Sequence, residues 1–216
     1  MPKLFGTDGV RGVAGSELTP HLALSLGRAA GRVLAPGGGE VVIGRDTRVS
    51  GPMLEGALVA GLCSAGARVR IAGIIPTPGV AFLTVDERAR AGGVISASHN
   101  PGADNGIKFF SGLGMKIEND VEDEIELTMA AEPADLPSGA VVGTAELLDD
   151  ANARYTEHLL STLEDSLQGT KVVLDCAHGA AYDVAPEVFR RAGAEVVAIN
   201  ATPDGARINA DCGSTS

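Results

Sequence analysis

Residues 92–101 read GGVISASHNP, an apolar run that passes into a polar loop closed by proline. The apolar half predicts a short buried β-strand, because small and β-branched residues follow one another without a charge. Two runs of the same kind precede it along the chain, EVVIGRD at 40–46 and RVRIAG at 68–73. Each of the three is expected to be a strand of one sheet.

The segments between these strands carry the start signals of helices. Thr19-Pro20 supplies a capping residue and a proline for a helix over 21–35. Ser50 is expected to cap a second helix over about 52–65, and Thr77-Pro78 opens a third. The β-α-β-α-β alternation predicts an α/β fold, with a mixed, mostly parallel sheet and helices on both faces.

The residues after the proline complete the first predicted domain, which spans 1–145. The runs GIKFFS at 106–111 and MKIE at 115–118 predict a β-hairpin or an edge pair. Asn119 is expected to cap an acidic helix that ends near residue 131. Residues 132–143 have the proline, glycine and alanine content of a linker.

A second βαβ pattern follows over 146–216. A linker helix is predicted at about 149–166, then a strand at 171–175, a helix at about 180–192 and a strand at 195–200. Two strands and one helix do not form a stable sheet layer by themselves. We therefore expect an incomplete second domain, similar to the first, with an exposed apolar sheet face.

Composition excludes several classes of protein. The chain has 216 residues, 44% of them apolar, and a formal net charge of −11, without the basic face of a nucleic-acid binder. No apolar run approaches a membrane span or a signal segment. The three cysteines, Cys63, Cys176 and Cys212, are widely spaced and lack a C-x-x-C motif, which predicts reduced thiols in a cytoplasmic protein.

Ser98 is the first candidate for chemistry. It lies just past the carboxyl end of a predicted parallel strand, which is where open α/β sheets bind their ligands. The glycine-rich loop offers backbone N–H groups to an anion, and a serine there could be a nucleophile or a phosphate carrier. Two alternatives remain: that the serines and asparagine only shape a turn, and that His99 only organises the loop.

Two further loops are rich in cations. They are FGTDGVRG at 5–12 and GRDTRVSG at 44–51, and the second also leaves a strand at its carboxyl end. An arginine presents a planar fork that pairs with phosphate, although a single arginine is usually a surface charge. The arginines of these loops are Arg11, Arg45 and Arg48. With Lys108 they predict a phosphate site at this edge of the sheet.

These motifs, in this order and spacing, resemble the α-D-phosphohexomutase superfamily. The versions FGTDGVRG and ISASHNP are most similar to its bacterial phosphoglucosamine mutase branch. The resemblance covers the whole chain. The stretches that carry it are 5–12, 44–51, 93–101, 104–110, 172–181 and 212–215.

The resemblance implies a four-domain enzyme around a cleft, of which this chain holds the first domain and part of the second. It implies that Ser98 carries a phosphoryl group and passes it to a sugar phosphate. Glucosamine 6-phosphate would become glucosamine 1-phosphate through a hexosamine 1,6-bisphosphate intermediate. That product leads to UDP-N-acetylglucosamine and the peptidoglycan precursors.

The resemblance also assigns roles around Ser98. Arg11 and Lys108 are candidates for proton transfer, and His99 belongs to the catalytic lining. The residues implied to bind substrate or phosphate are Arg45, Thr7 and Asn100. A Mg²⁺ ion would be held by the Ser98 phosphate and by three aspartates of a D-G-D-x-D-R loop.

No D-G-D-x-D-R loop occurs in the 216 residues, so we expect it beyond residue 216 of a longer parent. The chain alone is therefore expected to be inactive as a mutase. Relatives are often dimers through the first domain, so a homodimer is an expected form.

Three other functions stay open on the sequence. A sister enzyme acting on mannose or glucose phosphates would share the motifs. A serine hydrolase built on Ser98 is less compatible, since G-x-S-x-G is absent. A non-catalytic module that binds sugar phosphates is the third.

Overall fold

The computed structural model describes residues 3–131 and 135–216. The strands in these ranges are β1 (Val10–Val13), β2 (Glu40–Arg45), β3 (Arg68–Ile74), β4 (Ala91–Ile95), β5 (Asp104–Ser111), β6 (Ala145–Leu147), β7 (Lys171–Asp175) and β8 (Glu195–Ile199). The helices are α1 (Pro20–Leu34), α2 (Gly51–Ser64), α3 (Thr77–Asp86), α4 (Asn119–Ala130), α5 (Ala151–Ser161) and α6 (Val184–Arg191).

The first sheet has six strands in the order β1-β5-β4-β2-β3-β6. β4, β2, β3 and β6 run parallel, whereas β5 pairs antiparallel with β4, and β1 antiparallel with β5. β7 and β8 form a separate parallel pair. The predicted fold class, a mixed and mostly parallel sheet with helices, is confirmed.

The two faces of the first sheet are covered by different helices, as the alternation of β2 shows. Val41 and Ile43 lie in a core with α1, α2 and α4, while Val42 lies in a second core with α3, α5 and α6. All three side chains are at most 1% exposed. A strand buried on both faces is the arrangement expected of a central parallel strand.

Helices α1 and α2 pack closely because glycines face each other across the contact. A Cβ on Gly27 would collide with the backbone of Leu58, and one on Gly61 with the backbone of Leu24. The contact orients α2, and the loop that precedes α2 carries Arg45 to Ser50. The close approach therefore helps to place one wall of the candidate site.

The structure differs from two expectations at the sheet edge. Residues 10–12 of the expected loop 5–12 instead form β1 together with Val13 and pair with β5, with Val10 opposite Ile107. The predicted pairing of 106–111 with 115–118 is present only in part: one antiparallel bridge joins Phe110 to Lys116, with a hydrogen bond of 2.8 Å from the Ser111 N–H to the Met115 oxygen. β1 could not be read locally because its partner, Asp104–Ile107 of β5, is distant in sequence.

Smaller differences concern the helix ends. Ser50 does not cap α2 with its side chain, because its own backbone is helical, with φ −75° and ψ −11°, whereas a capping residue is usually extended. Its Oγ instead accepts a hydrogen bond of 2.9 Å from Asn105 Nδ2. The predicted helix at 149–166 is the shorter α5. Part of the predicted linker, residues 132–134, lies outside the described residues, and a 3₁₀ turn forms at Gly139–Val141.

The second unit contains β7, β8 and α6, and its sheet is uncovered on one face. Val173 is 64% exposed, Val197 43% and Ile199 44%, as expected for an incomplete sheet layer. The first sheet extends through β6 to Leu147, past the predicted boundary at 145, and Val184 of α6 packs into its second core. The division into domains 1–145 and 146–216 stays a prediction. Among the described helices, none is long and apolar enough to cross a bilayer.

Candidate active site

Ser98 lies three residues past the carboxyl end of β4, in the loop that turns back into β5. Its backbone φ is +54°, a left-handed value that non-glycine residues rarely adopt. The residue is exposed, and its N–H donates to Ser96 Oγ at 3.0 Å. Ser96 Oγ in turn donates to Asp46 Oδ2 at 2.7 Å, which ties the loop to the end of β2.

Arg48 holds the backbone of this loop through hydrogen bonds from its buried side chain. Its side chain is fully buried, and its Nε donates to Asp46 Oδ2 at 2.9 Å. The two terminal nitrogens of its guanidinium donate to four carbonyl oxygens of the loop, those of Ser98, Asn100, Pro101 and Asp104. One buried arginine thus fixes the path of the chain on both sides of residue 99. A planar, five-donor group suits that role.

The second unit touches the same loop. Asn209 Nδ2 donates to the carbonyl oxygens of Ser98 and Asn100, at 2.9 and 3.0 Å. Nearby, Thr47 Oγ1 donates to the backbone oxygen of His178 at 2.5 Å. Arg48 and Gly205 also form a parallel β-bridge. The loop of Ser98 is therefore held by residues from both units.

Two cations stand beside the loop on neighbouring strands, β1 and β5. Arg11 donates to Asn100 Oδ1 at 3.4 Å, and Asn100 Nδ2 donates to Asp104 Oδ2 at 2.9 Å. Asp8 lies between the cations, 3.7 Å from Arg11 and 3.5 Å from the Lys108 ammonium. Arg11 was expected on a loop, so its place on β1 is a correction, whereas Lys108 lies on β5 within the strand run predicted at 106–111. The pairing of β1 with β5 brings them together.

The other predicted site residues lie in three places. His99 and Asn100 belong to the Ser98 loop, and His99 Nδ1 lies 3.5 Å from Ser98 Oγ, at the limit of a hydrogen bond. Thr7 is exposed in the tight turn before β1. Arg45 instead turns towards α2, where its Nε is 3.2 Å from Glu55 Oε2. Burial raises the pKa of Glu55, and the Arg45 charge opposes that shift.

Several residues of the site were not singled out from the sequence. Asp46 lies in the quoted motif GRDTRVSG, so a signal for it was present. Arg48 of the same motif was expected among the phosphate-binding cations, but its guanidinium is buried and donates to backbone carbonyls instead. Asp8 likewise lies within FGTDGVRG. Asn209 carries no local signal, because its contact with the loop spans more than a hundred positions of the chain.

The described residues do not themselves build a magnesium site. Within 3–131 and 135–216, no group of three or more histidine, cysteine, aspartate or glutamate side chains is arranged to hold a metal ion. Ser98 would offer a single oxygen, whereas Mg²⁺ requires near-octahedral oxygen coordination.

The sequence and the fold were compared with known proteins. Residues 2–135 match the family model described as phosphoglucomutase/phosphomannomutase, alpha/beta/alpha domain I. The chain belongs to the phosphoglucomutase/phosphomannomutase family. The resemblance drawn from the motifs is thereby confirmed, and Ser98, Arg11 and Lys108 all lie within the matched domain I.

Relatives extend the match over the whole chain. The phosphoglucosamine mutases of Symbiobacterium thermophilum and Moorella thermoacetica are 56% and 57% identical over 100% of this chain and 49% of their own length. The chain therefore spans about half the length of these curated relatives. A solved phosphoglucomutase/phosphomannomutase family protein from Burkholderia thailandensis superposes with a TM-score of 0.81 at 32% identity, over 94% of this chain and 45% of that one.

Proposed function

We propose that the chain is the front half of a phosphoglucosamine mutase, in which Ser98 carries the phosphoryl group. The observation that carries the proposal is the presentation of Ser98. Its hydroxyl is exposed on a loop whose carbonyl oxygens accept hydrogen bonds from Arg48 and Asn209. Arg11 and Lys108 are the two cations beside that loop. Relatives named phosphoglucosamine mutase, more than half identical over all of the chain, support the choice of substrate.

The proposed reaction has two transfers. In the first, the bond from phosphorus to Ser98 Oγ breaks and a bond to the free hydroxyl of glucosamine 6-phosphate forms, giving a 1,6-bisphosphate. The sugar hydroxyl loses a proton, and Oγ gains one. In the second, the bond from phosphorus to the sugar oxygen at position 6 breaks and a bond to Ser98 Oγ forms. Oγ loses its proton, the oxygen at position 6 gains one, and glucosamine 1-phosphate is released. Such transfers depend mainly on placement and on charge neutralisation.

Arg11 and Lys108 are proposed to serve the proton transfers and to neutralise charge. Both lie on strands rather than on mobile loops, and both approach Asp8, which holds them on one side of the loop. Arg11→Ala or Lys108→Ala should lower kcat roughly 10²–10⁴-fold, the usual effect of losing an acid–base group. A rise in KM with an unchanged kcat would show that the residue only binds substrate.

The mutase needs parts that this chain does not supply. The described residues lack a magnesium site, so the aspartates that the family resemblance implies belong to the remaining half in this proposal. We therefore expect the 216 residues alone to carry phosphate without turning over substrate. Mg²⁺ and hexosamine 1,6-bisphosphate are the cofactors of the complete enzyme in this proposal.

The test uses two proteins. The first is the 216-residue chain, purified from cells and analysed by intact mass and phosphosite mapping, where Ser98 should carry phosphate. The second is a chimera of residues 1–216 followed by the remaining half of the S. thermophilum relative, assayed for glucosamine 1-phosphate. Ser98→Ala should abolish phosphorylation in both proteins and turnover in the chimera.

Ser111→Ala is the matched control, because Ser111 is a partly exposed serine at the end of β5 and away from the loop. It should leave phosphorylation and turnover intact. Phosphate found only on Ser96 or Ser111 would move the carrier. Labelling of Ser98 by an acyl-serine probe, together with no phosphate in either protein, would support a hydrolase instead.

A phosphomannomutase or phosphoglucomutase is the second candidate. The matched family model and the B. thailandensis structure both carry those names. The same chimera, offered mannose, glucose and glucosamine 6-phosphates in parallel, distinguishes them by kcat/KM. The second half of the chimera comes from the S. thermophilum relative, so its own sugar preference also contributes to the measured kcat/KM. The decisive measurement joins residues 1–216 to the second half of their own parent protein.

Location and assembly belong to the proposal too. Cys63, Cys176 and Cys212 are free thiols, which suits a reducing compartment such as the cytoplasm. A homodimer remains an expected form of the complete enzyme, alongside its sugar-phosphate partner. Light scattering on the purified protein measures it directly.

A further inference from the structure

Ser98 is held on both sides of its own Cα atom. On the amino side its N–H donates to Ser96 Oγ, a residue of the first unit. On the carboxyl side its carbonyl oxygen accepts from Arg48 at 3.0 Å and from Asn209 at 2.9 Å. The first contact restrains φ and the second restrains ψ, so the left-handed conformation depends on both sets of donors.

Arg48 and Asn209 act on the same pair of oxygens. The carbonyl of Asn100 also accepts from both, at 2.9 Å from Arg48 and 3.0 Å from Asn209. A carbonyl oxygen has two acceptor sites, so each of these carbonyls is fully satisfied only when both donors are present. Arg48 comes from the first unit and Asn209 from the second.

Asn209 is itself firmly placed. It has a left-handed φ of +59°, which asparagine tolerates better than most residues, and its N–H donates to the carbonyl of Ala177 at 3.1 Å. Ile208, the residue before it, is only 3% exposed. The amide group is thus presented to the loop by the folded second unit.

We infer that Asn209 is a positioning residue through which the second unit holds Ser98 in its exposed, left-handed conformation. The inference rests on the proposed function for its catalytic meaning. In that function Ser98 carries the phosphoryl group, and Asn209 positions Ser98 without touching the phosphate. Arg48 alone leaves one acceptor site of each carbonyl open to water.

Asn209→Asp is the sharpest substitution, since it keeps the shape and the tolerance of a left-handed backbone but replaces the donor by a carboxylate. Facing two carbonyl oxygens, it should release the loop. Hydrogen exchange by NMR on the 216-residue chain should accelerate about tenfold or more at the N–H of Ser98 and of Asn100. Asn209→Gly, which removes the amide without adding charge, should act in the same direction.

Asn200→Asp is the matched control. Asn200 also has a left-handed φ, of +48°, and its amide donates to Asp175 within the second unit rather than to the loop. It should weaken the second unit and leave exchange at Ser98 unchanged. Equal acceleration by Asn200→Asp and Asn209→Asp, or none by Asn209→Asp and Asn209→Gly, would overturn the inference.

The chimera described above adds the functional measurement. Asn209→Asp should lower kcat about tenfold or more with KM nearly unchanged, while Asn200→Asp keeps kcat. Faster exchange at Ser98 with an unaltered kcat would refute the catalytic meaning of the contact. An inactive chimera would count against the proposed function, and the exchange measurement would still decide the role of Asn209 in holding the loop.

Discussion

At the scale of single residues, strain gathers where the two units meet. Ser98, Ala177, His178 and Asn209 are all non-glycine residues with positive φ, and all lie at or beside the contact between the loop and the second unit. Each such residue costs on the order of 1–2 kcal/mol. The hydrogen bonds of Arg48 and Asn209 offset that cost at Ser98 and keep its hydroxyl turned outward.

The strain at Ser98 can be measured by substitution. Ser98→Gly and Ser98→Ala both remove the hydroxyl, but only glycine adopts φ +54° without a steric penalty. We expect Ser98→Gly to be about 1 kcal/mol more stable than Ser98→Ala in urea unfolding. At Ser111, in a strand, the order of the two variants should reverse. Ser98→Gly proving the less stable of its pair would contradict the account.

Asp175 predicts a pH dependence of the second unit. Hydrogen bonds from the N–H groups of Gly213 and Ala177, and from Asn200, lower its pKa below the ordinary value. A depressed carboxyl pKa stabilises the fold above the ordinary value of about 3.9, and this contribution fades as pH falls through the folded-state pKa.

The measurement compares urea unfolding of the native chain and of Asp175→Asn. Asp175→Asn should be the less stable at pH 7. The difference in unfolding free energy should narrow as the pH falls below the ordinary carboxyl pKa of about 3.9 towards the lower folded-state pKa of Asp175. Glu164→Asn, at an exposed position outside this network, is the control and should show no such gap. If the difference in stability between the native chain and Asp175→Asn increased on acidification, the prediction would be contradicted.

These residues differ in how well they could be predicted from the sequence. Ser98, Arg11 and Lys108 could be singled out because their motifs are local and polar within a glycine-rich frame. Arg45 and Arg48 could not be ranked, since their roles depend on Glu55 and on the loop carbonyls, which are distant in sequence. Asn209 could not be predicted for the same reason, because its contact with the carbonyls of Ser98 and Asn100 exists only in the folded chain.

At the scale of elements, local signals located the helices and strands better than their partners. The Thr19 side chain caps α1 as predicted, accepting from the N–H of Leu22 at 3.1 Å, and β7 occupies the predicted 171–175. β1 was missed because VRGV is only 4 residues long and gains its strand character from β5. Pairing between distant segments is a tertiary property that a short window does not contain.

The glycine contact between α1 and α2 gives a paired test within one helix. Gly61→Ala places a methyl group against the backbone of Leu24 and should destabilise the chain by about 1–3 kcal/mol. Gly56→Ala, where open space surrounds the added Cβ, should stabilise it by about 0.5–1 kcal/mol. Thermal unfolding of the two variants decides, and equal stabilities would mean that α1 and α2 can separate freely.

At the scale of the whole molecule, the two sheets differ in completeness. The first is covered on both faces by helices from α1 to α6, whereas the pair β7–β8 leaves an apolar strip of Val173, Val197 and Ile199 in contact with solvent. Contiguous exposed apolar surface favours association. Within residues 3–131 and 135–216, no third strand pairs with β7 or β8, and the open edges add to that tendency.

We expect the 216-residue chain to self-associate through this strip. Val173→Thr with Val197→Thr keeps the preference for strands while removing apolar surface, and should shift the chain towards monomer in light scattering. The control carries Val85→Thr and Val141→Thr, which change exposed valines outside the second unit. A chain that stays monomeric at every concentration would contradict the expectation.

The pairing of β1 with β5 also sets the order in which the site is completed during synthesis. β1 is synthesised first and has no pairing partner until Asp104–Ser111 is made. At about 5–20 residues per second, synthesis from β1 to β5 takes on the order of 5–20 seconds. For most of that interval β4 and Ser98 have not been synthesised, and Arg11 is without the strand that carries Lys108. β4, the serine loop and β5 then follow one another between residues 91 and 111, and Asn209, which also holds the loop, is made after them. The site therefore matures late in synthesis.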